Sequence, residues 1–122
     1  MSHPYKSDTP NLPLTAGEAI TAGDLLCIGS DGKAYLADAN DATKRPAIGF
    51  AFNTAALAAQ VEAKGQGKMC EAAGLTMGAP LYLSETPGAV TQTPPASYVQ
   101  AVGVAETATE FIIRMDADGY AY

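Results

Sequence analysis

The segment Ala22-Gly23-Asp24-Leu25-Leu26-Cys27-Ile28 returns in altered form as Met77-Gly78-Ala79-Pro80-Leu81-Tyr82-Leu83. Further echoes follow in the same order. A turn glycine comes next in each half, Gly32 and then Gly88, and after it Ala47-Ile48-Gly49-Phe50-Ala51 is matched by Ala101-Val102-Gly103-Val104-Ala105. Each half closes on an apolar-alternating stretch, Ala59 to Lys64 in the first and Glu110 to Met115 in the second. Self-similarity of this kind constrains the chain to two related units. Each unit reads as strand, turn, strand, strand, strand, and neither holds enough bulky side chains to close a core alone, so the two must pack together. Gly49 and Gly103 fall inside strands, where glycine marks a bulge, a bend or a close backbone approach. The architecture this predicts is all-β: a pseudo-twofold β-barrel or compact sandwich of about eight strands.

The strand reading rests on a period of two. Ile48, Phe50 and Phe52 alternate with Ala47, Gly49 and Ala51; Tyr98, Gln100, Val102 and Val104 with Val99, Ala101, Gly103 and Ala105; Phe111, Ile113 and Met115 with Glu110, Ile112 and Arg114. Ile48, Phe50, Val102 and Val104 are expected to share one core. Ser30-Asp31-Gly32-Lys33 carries the turn chemistry of a hairpin joining Leu25 to Ile28 with Ala34 to Leu36. Thr54 to Ala59 is alanine-rich around Leu57 and reads as a short helical turn.

A chain of 122 residues supports one domain with one core. Residues 1–13 carry three prolines, Pro4, Pro10 and Pro13, and read as an extended arm, either disordered or laid along a partner surface; 14–116 form the β domain and 117–122 a flexible tail. Hydrophobic residues make up 48% but aromatic ones only 7%, so the core is expected to be thin and alanine-rich. A net charge of −6 argues against binding the phosphate backbone of a nucleic acid and against contact with an anionic membrane. The N-terminus shows neither a signal peptide nor an apolar run approaching the roughly 20 residues of a membrane span, so synthesis in the cytoplasm is expected.

Catalytic chemistry is poorly supplied. His3 is the single histidine and lies in the arm, which leaves no rigid base for a nucleophile and no histidine set for zinc. Cys27 and Cys70 sit in apolar surroundings without metal-ligand spacing and are expected to be free, buried thiols. Gly65-Gln66-Gly67-Lys68 lacks the spacing of a phosphate loop and reads as a strand-joining turn. Asp38-Ala39-Asn40-Asp41 and Asp116-Ala117-Asp118-Gly119 gather oxygen ligands but miss the closing glutamate of a calcium loop, so solvated turns are expected. No cofactor and no metal are expected, and the chain reads as non-enzymatic.

Ala-Gly-Asp-Leu-Leu at 22–26, Asp-Gly-Lys-Ala-Tyr at 31–35, Ala-Ile-Gly-Phe-Ala at 47–51, Gly-Ala-Pro-Leu-Tyr-Leu at 78–83 and Ala-Val-Gly-Val-Ala at 101–105 follow one another. In this order and spacing the chain resembles the small capsid-decoration, or cement, proteins of tailed bacteriophages. The resemblance covers roughly residues 15–116 as a pattern of glycines and strand cores. It implies a β fold of the tulip or barrel kind, a homotrimer on the outer surface of the virion head, and an arm that pairs with major capsid protein. The candidate capsid contacts are His3, Pro4, Tyr5, Pro10, Leu12, Pro13 and Leu14, and Tyr120 and Tyr122 are candidate subunit contacts. The alternative is a receptor- or glycan-binding β module of a tail fibre, and a small hydrolase ranks last.

Overall fold

Side chains that alternate in and out of a pleat need a second layer to cover the apolar side, and the short runs of this chain satisfy that need by forming two sheets. A computed structural model describes residues 11–70, 72–115 and 120–121. They form β1 (Asn11–Thr15), β2 (Leu25–Ile28), β3 (Ala34–Leu36), β4 (Gly49–Ala51), β5 (Gln60–Lys64), β6 (Gln66–Met69), β7 (Pro80–Leu83), β8 (Val90–Thr91), β9 (Tyr98–Val99), β10 (Ala101–Ala105), β11 (Phe111–Arg114) and β12 (Tyr120–Ala121). Two antiparallel five-stranded sheets result, in spatial order β1-β5-β4-β2-β3 and β6-β11-β10-β7-β8, while β12 pairs with β9. The fold is all-β and sandwich-like. It is not a barrel, because no ladder joins the edges β1 and β3 of the first sheet to the edges β6 and β8 of the second.

The two spatial orders are the same list, with β1, β5, β4, β2 and β3 answered by β6, β11, β10, β7 and β8. Register agrees as well. Leu26 opposes Gly49 and Leu25 opposes Phe50, as Leu81 opposes Gly103 and Pro80 opposes Val104. Backbone bonds repeat in place: Gly23 N–H donates to the Ala51 carbonyl and Ala51 N–H to that of Asp24, both at 2.8 Å, and Gly78 and Ala105 bond to Ala105 and Ala79 in the same way at 2.8 and 3.0 Å. A Cβ on Gly49 would stand 2.8 Å from the Lys64 carbonyl oxygen, and one on Gly103 2.5 Å from that of Ile112. The expected repeat is therefore present, with two changes. Phe50 opposes Lys64 and Val104 opposes Ile112, so Lys64 corresponds to Ile112 rather than to Met115, the connection before β11 being the shorter one. The repeat also takes in β1 and β6, giving five strands a half where four were expected.

Two cores share the first sheet. Leu25, Cys27 and Phe50 on one face meet Leu81, Leu83, Val102, Phe111 and Ile113 of the second sheet, with the Phe50 and Phe111 ring centroids 5.4 Å apart. The opposite face carries Leu26, Ala34, Ala51, Val61 and Ala63, covered by Ala16, Ile20 and Ala55. Leu26 and Leu81 are counterparts in the repeat, yet Leu26 belongs to the alanine-rich core and Leu81 to the shared one. Equivalent faces are thus used differently, and the halves stack head to tail rather than about the expected pseudo-twofold. Gln100, fully buried, ties them together: its Oε1 accepts from Ala47 N–H at 2.7 Å and its Nε2 donates to the Ala47 carbonyl at 2.9 Å.

Several local expectations change. The Ser30–Lys33 hairpin forms, with Gly32 at φ +81°. The helical turn at 54–59 does not, because Ala55 exchanges backbone bonds with Ile20 and Ala58 donates to Ala16, capturing the groups a helix would need. The described helical piece is instead a 3-10 turn at Ala42–Lys44, capped by Asp41. Gly65 joins β5 to β6, and Gln66 to Lys68 belong to β6 itself. A register shift between Ala101 and Gly103 breaks the alternation of β10, so Val102 and Ala105 both point inward and Val104 is exposed. Ile48 packs on the alanine-rich core instead of beside Phe50, and Phe52, past the end of β4, is exposed under the Lys64 ammonium 4.2 Å from its ring centroid. Cys27 is a buried free thiol as expected, whereas Cys70, beyond the end of β6, is exposed.

Candidate functional site

His3, Pro4, Tyr5 and Pro10 lie outside the described residues, as does Tyr122. Leu12, Pro13 and Leu14 belong to β1, where they oppose Ala63, Glu62 and Val61. The expected boundary of the arm at Pro13 is therefore wrong: Asn11–Pro13 are part of the sheet. An edge strand tolerates Pro13 because its missing N–H costs no ladder bond on the open side. Leu14 is half-buried against the alanine-rich core. Tyr120 and Ala121 pair antiparallel with Val99 and Tyr98, so that part of the expected free tail is a strand on its own chain.

The polar clusters are built as turns. Asp38 Oδ1 accepts from Asn40 N–H at 2.8 Å, and Asp41 Oδ1 accepts from both the N–H and the hydroxyl of Thr43 at 2.9 and 2.7 Å. The Thr43 hydroxyl and N–H together hold the Asp41 carboxyl below its ordinary range. In the hairpin, Tyr35 donates its hydroxyl to Asp31 at 2.7 Å, which lowers the pKa of the Asp31 carboxyl and raises that of the Tyr35 hydroxyl, while Lys44 sits 3.9 Å above the Tyr35 ring. Among the described residues no three of His, Cys, Asp and Glu come close enough to hold a metal ion. Asp116 and Asp118 lie outside them.

Among the described residues, two surfaces stand out as having room for a partner. An open groove of about 580 Å³ runs between the sheets, floored by Phe50, Met69, Val90 and Phe111 and bordered by exposed Phe52, Lys68 and Cys70. Its lining suits an apolar side chain. The other is the side of the second sheet turned away from the shared core, where register sets Lys68, Ile112, Val104 and Pro80 in one row across four strands. Lys68 bonds Glu106 at 2.6 Å and lies 3.9 Å from Glu110. The hydrogen bond to the neighbouring Glu106 carboxylate pushes the pKa of the Lys68 ammonium up. Sequence reasoning did set Glu110, Ile112 and Arg114 on one face. It missed the row because the bulge in β10, invisible in the residue pattern, turns Val104 outward to join them.

No protein-family model matches the chain, and none of the curated proteins does.

Proposed function

We propose that this chain is a structural decoration protein of a tailed-phage head, binding the outer surface of the capsid and holding its lattice together. One observation carries the reading: the five segments that resemble decoration proteins supply the framework strands β2, β3, β4, β7 and β10 of both repeated sheets. The likeness therefore lies in the scaffold and extends through both halves. Two further features support it. β1, the first described strand, lies at a sheet edge, the kind of position at which a partner chain can add a strand. Binding to many equivalent lattice positions also multiplies contacts that are weak one by one, which suits a small domain with a thin core.

Cosedimentation with heads assembled without the protein tests this directly, with a glycan array run in parallel. Saturable binding at a fixed ratio to capsid subunits is the expected result. Binding to glycans with none to heads would move the chain to the tail-fibre reading.

A further inference from the structure

We infer that the outer face of the second sheet is a twofold, self-complementary docking surface for a second copy of this chain. Val104 and Ile112 oppose each other on β10 and β11 and are 36% and 39% exposed, flanked in the same row by exposed Pro80. In the first repeat the counterparts of Pro80 and Val104 are Leu25 and Phe50, which are buried in the shared core at 0% and 1% exposure. The fold thus already covers this face once, by stacking another sheet on it. In the second repeat the same face leaves Pro80, Val104 and Ile112 exposed, with no cover among the described residues.

Charge selects the occupant. Along β11 the face runs from Glu110 through Ile112 to Arg114, and Lys68 draws Glu106 to the Glu110 end. One cation between two carboxylates leaves that end negative, and Arg114 makes the other end positive. Two copies laid face to face with their β11 strands antiparallel place Glu110 of each over Arg114 of the other, with Ile112 meeting Ile112 on the axis and Lys68, in the same row and balanced by its own Glu106, meeting its copy. A parallel arrangement sets like charges together. Continued head-to-tail stacking is closed off, because the first sheet's counterpart face is already filled at Leu26, Ala51 and Ala63. The surface therefore stops at two copies.

Four strands about 4.8 Å apart and about 15 Å long offer on the order of 300 Å² in plan, well under the roughly 800 Å² per partner of a stable complex. The pair is accordingly weak and must be sought at high protein concentration. Sedimentation equilibrium of the full chain at low salt, carried into the millimolar range, is expected to show a monomer–dimer equilibrium. Ile112→Lys and Arg114→Glu should each weaken it about tenfold or more, and the exchange Glu110→Arg with Arg114→Glu should return it to within about threefold of the original. Thermal melts establish that each variant is folded. A mass that stays monomeric, a trimer, a dimer indifferent to Ile112→Lys, or an exchange that fails to restore pairing would each overturn the inference. These outcomes are independent of whether the chain binds heads.

Discussion

At Cys27 a small polarizable side chain is enclosed by the shared core, and burial pushes its thiol up to about 11. An unfolded chain ionises the same thiol near its ordinary value. Between the two values the unfolded state binds fewer protons than the folded one, so stability falls as pH rises from about 9 to about 11. The expected loss is on the order of 1 to 2 kcal/mol, and it should be absent from the Cys27→Ala variant, so that the difference between the two chains falls across that range in denaturant melts. Cys70 shows what residue identity alone does not reveal. Its neighbours Lys68 and Met69 resemble a strand interior in sequence, but β6 is an edge strand and the chain leaves the sheet at Cys70, so the thiol is exposed. Phe50 and Phe52 make the same point, since both obey the alternation and only Phe50 lies where the sheets overlap.

Among the elements, β4 and β10 carry the clearest sign of the duplication. Each holds a glycine whose missing Cβ makes room for a carbonyl on the adjacent strand, Lys64 in one half and Ile112 in the other. Gly49→Ala and Gly103→Ala are both expected to destabilise by about 1 to 3 kcal/mol, with Gly103→Ala the costlier because its approach is closer. Urea midpoints check the ranking, and a neutral effect at either position would break the equivalence of the two strands. The strands β2, β3, β4, β5, β7, β10 and β11, the Gly32 hairpin and the order of the repeat were legible in the sequence because alternation and turn glycines are local signals. The bulge in β10, the loss of a helical turn at Ala55 and the inclusion of Asn11–Pro13 in β1 were not, because each is decided by a partner distant in sequence: β7, Ile20 and β5 respectively. The candidate site was legible only in part. Glu110, Ile112 and Arg114 read correctly as one face, while Val104 needed the bulge to reach it.

For the whole molecule, the junction between the halves rests on the shared apolar core and on Gln100, whose amide satisfies both backbone groups of Ala47. Gln100→Ala leaves a buried N–H and a buried carbonyl without partners and is expected to cost about 2 to 4 kcal/mol, read as a lowered melting temperature. Function sits one level further out, in what the assembled sandwich binds. Because Asn11–Pro13 belong to the first sheet, the arm is separable only up to residue 10, and a truncation to 11–122 keeps β1 while removing His3, Pro4, Tyr5 and Pro10. If those residues hold the capsid, this truncation keeps the melting temperature of the isolated domain and loses occupancy on heads. The most direct test of the proposed function is the rupture temperature of DNA-filled heads assembled without the protein, measured before and after the full chain is added back. A rise that saturates with occupancy, and that the 11–122 truncation fails to produce, is the expected result; heads that bind the chain yet rupture at an unchanged temperature would contradict it.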